Sequence, residues 1–296
     1  LHYLRAQDTP TWTLARVKPK AKVNGNANDE RITVPVTGQL AANNSEALRE
    51  AALMGAGIAY VSAQAGMEVV LLDTTIEYNK GICDGFDWML PKLADAKLVG
   101  EDTFLNEDAS IAAQITRIKA LPEEPDAIML CTMMPGAVSA IKQIRAAGIN
   151  SMILNGSGVD GSYWLSAIPD LSNFYVPVQG SIYGDDPNPD VTAFNAKYKE
   201  TTGGDPSSQY VYPGYVMIDV WAKAVERAGT TETSAVVAEL EKMKDEPTLF
   251  GPRSFSAELH HQNSADYRII DIEGGKPAVV DSWKISEPIP VADLMK

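Results

Sequence analysis

A tyrosine where a strand gives way to a helix, and an acid in a glycine-rich turn, are residue types that can hold a small polar molecule. Tyr78 opens a helical pattern just after an apolar run. Asp160 lies in Asn155-Gly156-Ser157-Gly158-Val159-Asp160-Gly161, and Tyr183 and Tyr210 flank a later segment where they could close on a ligand. Free backbone N–H groups and the helix dipole make such junctions favourable for carboxylates. Met133 follows the apolar run ending at Cys131, and its adaptable thioether suits a pocket for an aliphatic or aromatic group. Each residue also has a plainer use. Tyr78 can pack its ring beside a strand end, Met133 and Met134 can fill a loop or the core, Asp160 can cap a helix over 162–167, and the other two tyrosines can pack a hinge.

Catalytic and metal chemistry finds poorer material. The histidines are His2, His260 and His261, and an adjacent pair points to opposite sides of a strand, a poor chelate. The oxygen-rich run Asp185-Asp186-Pro187-Asn188-Pro189-Asp190 carries Val191 where a calcium loop needs glycine, so a solvated turn is expected there. Gly55-Ala56-Gly57 begins like a dinucleotide fingerprint, but Tyr60 replaces the third glycine and the helix precedes it. No nucleophile elbow and no phosphate loop are present, so an enzyme is not expected, nor is any cofactor. Cys83 and Cys131 are too few for a disulfide framework. Two buried free thiols are the expected state, with one bridge as the alternative.

The net charge of −14 disfavours nucleic acid and anionic membranes as partners. That charge is uneven: residues 1–64 carry a net of about +2 and the remainder about −16. The first ten residues lack the basic, apolar, small order of a secretion signal. Beyond them, Trp12 is expected in an irregular stretch, followed by a Lys-, Asn- and Gly-rich loop from Lys18. An edge strand is expected over 32–38, a helix over 46–54 stopping at Gly55, and a strand over 58–61. From about residue 65 the texture alternates. Strands are expected at 69–72, 97–99, 127–131, 152–154 and 174–178, with helices at 78–93, 110–120, 136–147 and, briefly, 162–167. Such alternation predicts a mainly parallel sheet. Helices follow at 190–202, 212–228 and 234–244, then a β-rich end with Gly274-Gly275 as a hairpin turn.

Several ordered cues within residues 65–296 carry a resemblance to type I periplasmic binding proteins of ABC importers, the branched-chain amino-acid type. They are Glu77-Tyr78-Asn79-Lys80-Gly81, Val99-Gly100-Glu101-Asp102-Thr103-Phe104, Ser110-Ile111-Ala112-Ala113-Gln114-Ile115, Pro125-Asp126-Ala127-Ile128, Gln143 to Gly148, and Gly214 to Gly229. The resemblance implies an α/β, periplasmic-binding-protein-like fold: one parallel-sheet lobe and an incomplete second lobe. Residues 65–180 and 246–296 would form the first of these, and 181–245 the helices of the other. It also places Tyr78 at a ligand-contacting tyrosine, Met133 at a pocket aromatic, and Asp160 near an acid that pairs with an α-amino group.

Residues 1–64 resemble instead a fragment of the effector domain of LysR-type regulators. The matching runs are Trp12-Thr13-Leu14, Val36 to Leu40 and Asn43 to Ala59. The two resemblances together imply a solute-binding protein that closes by a hinge on an amino acid or related small carboxylate. Its partners would be that ligand and the membrane subunits of an ABC importer, and its location periplasmic. A cytoplasmic effector-sensing domain and an inactive fusion are the alternatives. The helices at 190–244 would ordinarily cover a sheet missing from this chain, so their apolar faces are expected to meet residues 1–64 or stay exposed.

Overall fold

The computed structural model describes residues 11–15, 31–35, 44–62, 66–92, 96–260, 262, 266–285 and 290, with backbone alone for 11–15, 31–35, 44–51 and 53. Two compact units divide between Asn43 and Asn44. In the first, β1 (Thr11–Ala15) pairs antiparallel with β2 (Arg31–Pro35). Trp12 thus lies in a strand opposite Val34, where an irregular stretch was expected. Alternating β-formers on both segments supply the reason, because a partner strand satisfies backbone groups that a lone run leaves open. Most of the loop expected from Lys18 falls outside the described residues.

The second unit opens with α1 (Asn44–Ser62) and then alternates. Its elements are β3 (Met67–Asp73), α2 (Glu77–Met89), β4 (Lys97–Phe104), α3 (Ala112–Lys119), β5 (Ala127–Cys131), α4 (Gly136–Ala146), β6 (Met152–Leu154) and β7 (Phe174–Val178). Three helices follow, α5 (Pro189–Thr202), α6 (Val211–Ala228) and α7 (Thr233–Leu240). The end is β-rich: β8 (Glu246–Thr248), β9 (Gly251–Arg253), β10 (Asp266–Glu273) and β11 (Lys276–Lys284). The main sheet runs β11-β10-β7-β6-β5-β3-β4. Strands β4 to β7 are parallel, and β10 and β11 add antiparallel at the β7 edge. Gly274 and Gly275 turn β10 into β11 with φ of 56° and 71°, a conformation that L side chains resist.

Apolar residues fill both faces of the sheet. Val70, Met129 and Leu154 pack toward α1 and α2 with Met54, Ile58, Ile82 and Phe86. Val69, Leu71, Ile128, Leu130 and Ile153 pack toward α3 and α4 with Ile118, Ile141 and Ile144. All five residues of β5 are buried, which explains its unbroken apolar run.

Two sequence expectations fail on the first of these layers. The helix expected to stop at Gly55 continues to Ser62 through the stretch expected as a strand. Gly55 is not a helix stop; it is the point of closest approach to α2. A methyl there would stand 2.7 Å from the Phe86 nitrogen, and one at Gly85 would stand 2.6 Å from the Ala52 Cα. Gly85→Ala is therefore expected to push the helices apart and lower stability by about 1–3 kcal/mol, read as a shifted urea midpoint with an unchanged slope. The second failure is the free thiols. Cys83 on α2 and Cys131 at the end of β5 form a disulfide, with Cα atoms 5.9 Å apart despite a sequence separation of 48. Sequence separation concealed a contact that packing α2 on the sheet creates.

Candidate ligand-binding site

The chain leaves β3 through α2 toward β4 on one side of the sheet, and leaves β5 through α4 toward β6 on the other. At the carboxyl ends of β3 and β5 the connections diverge, the switch point at which open α/β sheets bind ligands. Tyr78 lies just past β3 and Met133 just past β5, so both border it. A buried network holds the strand ends. Thr132 Oγ1 donates to Asp73 Oδ2 at 2.8 Å, and Asn106 Nδ2 donates to the same oxygen at 2.7 Å and to the Met133 carbonyl at 2.9 Å. Burial alone would raise the Asp73 carboxyl. Hydrogen bonds from Thr75, Asn106 and Thr132 outweigh it and hold the group below the usual carboxylate range.

Three hydroxyls from three elements meet beside this switch point. Ser157 Oγ lies 3.2 Å from Tyr78 Oη and 3.1 Å from Tyr210 Oη, and the two phenol oxygens are 3.5 Å apart. Tyr78 comes from the first turn of α2, Ser157 from the loop after β6, and Tyr210 from the N-cap of α6. Met54 of α1 lies beneath them, its sulfur accepting the Ser157 N–H at 2.9 Å and the Tyr78 hydroxyl at 3.6 Å. Met133 packs on the same loop: a Cβ at Gly158 would stand 2.8 Å from the Met133 Cβ. The side-chain amides of Asn79 and Asn155, neighbours in sequence of this cluster, are fully buried and without a hydrogen-bond partner among the described residues. Such groups lose their water on folding with nothing in exchange.

Asp160 ties the same loop to the start of α6. Its carboxylate accepts Ser208 Oγ at 3.0 Å and the Gln209 N–H, while its carbonyl accepts the Tyr183 hydroxyl at 2.6 Å. It does not cap a helix over 162–167. That stretch narrows to a 3-10 turn, Leu165–Ala167, whose N-cap is Trp164. Burial pushes the Asp160 carboxyl up to about 6, against the hydrogen bonds from Gln209 and Ser208. Burial likewise drives the Tyr183 phenol well above its ordinary value, with the Asp160 charge adding to it.

The structure thus brings Tyr78, Met133, Asp160 and Tyr210 around one loop and reaches Tyr183 through Asp160. Sequence reasoning missed Ser157 and Met54. Ser157 sat inside the glycine-rich turn and was readable there, whereas nothing in the sequence distinguished Met54 from a core residue.

The remaining candidates serve the fold. Asp186 is buried where a solvated turn was expected, accepting the Ser181 N–H at 2.7 Å and meeting Arg268 at 3.4 Å. His260 pairs with Glu241 at 2.8 Å, while His2 and His261 fall outside the described residues. Among the described residues no group of three or more His, Cys, Asp or Glu could hold a metal, and no helix is long and apolar enough to cross a membrane. The face of α6 bearing Tyr215, Met217 and Ile218 is exposed.

A mostly parallel sheet with helices on both faces, connections that diverge at its carboxyl edge and further helices after them define a periplasmic-binding-protein-like architecture. The chain belongs to the periplasmic binding protein family, whose model matches residues 34–276. That match begins inside the segment read as regulator-like, and the compact unit likewise takes in residues 44–62. A curated relative, Leu/Ile/Val-binding protein homolog 3 of Brucella melitensis, is 26% identical over 203 residues, covering 67% of this chain. The chain spans 52% of that relative's length.

Among solved structures it is similar to the branched-chain amino acid transporter substrate binding protein LivJ of Streptococcus pneumoniae in complex with isoleucine. The TM-score is 0.67 at 23% identity, over 79% of this chain and 66% of that one. The leucine binding protein LivK of Thermotoga maritima gives a TM-score of 0.66 at 20% identity, over 78% of this chain and 65% of the other. About a third of each of those chains therefore has no counterpart here.

Proposed function

We propose that this chain is the ligand-holding part of a non-catalytic solute-binding protein of an ABC importer. It takes an amino acid or a related small carboxylate at the carboxyl edge of the sheet. The observation that carries this reading is the convergence of Tyr78, Ser157 and Tyr210 hydroxyls at 3.1–3.5 Å where the connections diverge. In this reading the hydroxyls, which partner one another here, turn to the ligand's carboxylate. Asp160 receives an α-amino group and Met133 meets the apolar body. Residues 65–180 and 246–296 act as one lobe and the helices of 181–245 as part of the other, and the ligand favours the state in which they close. The similarity to a Leu/Ile/Val-binding protein and to a complex with isoleucine supports the ligand class. The Cys83–Cys131 bridge supports an oxidising compartment and hence a periplasmic location. The partners are then the ligand and the importer's membrane subunits.

The test is a thermal-shift titration of the chain with leucine, isoleucine, valine, aromatic acids and small amides. A saturable rise in Tm for one class is expected, and about 100 Kd of ligand would add roughly 2.7 kcal/mol. Tyr78→Ala should abolish the rise, and Tyr78→Phe, which keeps the ring, should reduce it. A cooperative transition that no member of the panel moves would sink the reading for this chain.

A further inference from the structure

A cleft of about 590 Å3 lies apart from the hydroxyl cluster, between the loop after α7, β9 and the loop that follows it. Arg253 of β9 lines it and is only 8% exposed. Its guanidinium carbon stands 5.5 Å from the centre of the Phe250 ring, and among the described residues no carboxylate pairs with it. The acids that border the cleft are engaged or balanced. Glu241 meets His260 at 2.8 Å, Asp266 meets Lys284 at 3.4 Å, and Asp245 stands exposed beside Lys244. Arg253 lines the cleft and has no carboxylate partner among the described residues, so a ligand in the cleft can supply its acceptor. The rest of the wall that matters is apolar: Met243 is buried, and Phe250, Phe255 and Leu259 are half-buried.

A planar fork of N–H donors backed by an aromatic ring matches a carboxylate bidentately, which an ammonium cannot do. The cleft's size falls in the range of small-molecule sites, which combine an apolar lining with a few placed polar groups. We propose that this cleft is a second ligand site, for a small organic carboxylate with an apolar body. The carboxylate lies on Arg253, and the hydrocarbon rests against Met243, Phe250, Phe255 and Leu259. The site shares no residue with the Tyr78 cluster, so it stands or falls independently of the reading above.

The experiment is a fluorine NMR titration of 4-fluorobenzoate against the whole chain, its Arg253→Gln and Arg253→Lys variants and Tyr78→Ala. Hydrogen exchange with and without the acid supplies the map. Expected are saturable binding to the unaltered chain and protection within residues 241–256 that is retained in Tyr78→Ala. Arg253→Gln should weaken binding about tenfold or more, as the loss of a charge-assisted pair does. Arg253→Lys keeps the stem and the charge and should fold even if the Gln variant does not. It should still lose affinity several-fold, because the fork is gone. Unchanged protection of residues 241–256 in a folded Arg253 variant, loss of that protection in Tyr78→Ala, protection confined to residues 154–160, or no saturable binding would each overturn the proposal.

Discussion

Replacing Cys83 and Cys131 together by alanine is expected to lower the stability of the second unit by about 4 kcal/mol, the chain-entropy value for a loop of this length. Both cysteines are buried, at 3% and 0% exposure, so reductant reaches the bridge only when the unit opens. The comparison is therefore made by unfolding in urea with and without dithiothreitol, and with the double alanine variant, at one pH. The oxidised protein should show no titratable thiol when denatured. Two thiols in that assay would remove the bridge and with it the physical support for an oxidising compartment. The effect is large because the bridge joins α2 to the end of β5, two elements that carry Tyr78 and Met133 to the carboxyl edge of the sheet. Its loss should loosen the ligand site as well as the core.

The second large effect is in the pH dependence of Asp160. Its carboxyl stands at about 6 in the folded chain, raised by burial from 3.8. The folded state therefore binds this proton more tightly than the unfolded state. The resulting stability is fully present below about pH 4 and is lost as pH rises through 6. At pH 7 the ionised group weakens the fold by about 3 kcal/mol relative to an unshifted carboxyl. Asp160→Asn keeps a neutral acceptor for Ser208 and the Gln209 N–H. The variant should match the parent near pH 4 and exceed it by up to that amount near pH 7. Urea midpoints of both proteins at four pH values give the answer, and parallel profiles would contradict the assignment. The difference between the two proteins is what matters, because Glu68, pushed up by burial to about 7, and Asp87, raised to about 6, also titrate in this window. An ammonium ligand at the carboxylate would favour its ionised form and flatten the slope. Repeating the series with a bound amino acid thus joins this prediction to the proposed function.

Much of the architecture was legible from residue order alone. The strands at 127–131, 152–154 and 174–178 lie where the apolar runs place them, and the Gly274-Gly275 turn joins its two strands as expected. Local periodicity and turn chemistry decide such features, because each depends on residues within a few positions of one another. Tyr78 could be named in advance for the same reason, as it stands at the start of a helix.

What the tertiary structure decided is long in sequence and short in space. Gly55 looked like a helix stop until α2 came close enough to require a residue without a Cβ. Cys83 and Cys131 looked like separate thiols until the crossover brought them together. Asp160 looked like a cap until the turn before α6 offered it Ser208 and Gln209, 48 and 49 residues on. Arg253 carried no signal at all, since whether a charge comes to line a cleft depends on every element around it. Composition and periodicity report what a residue prefers next to its neighbours in the chain; only the fold decides which distant groups share its space.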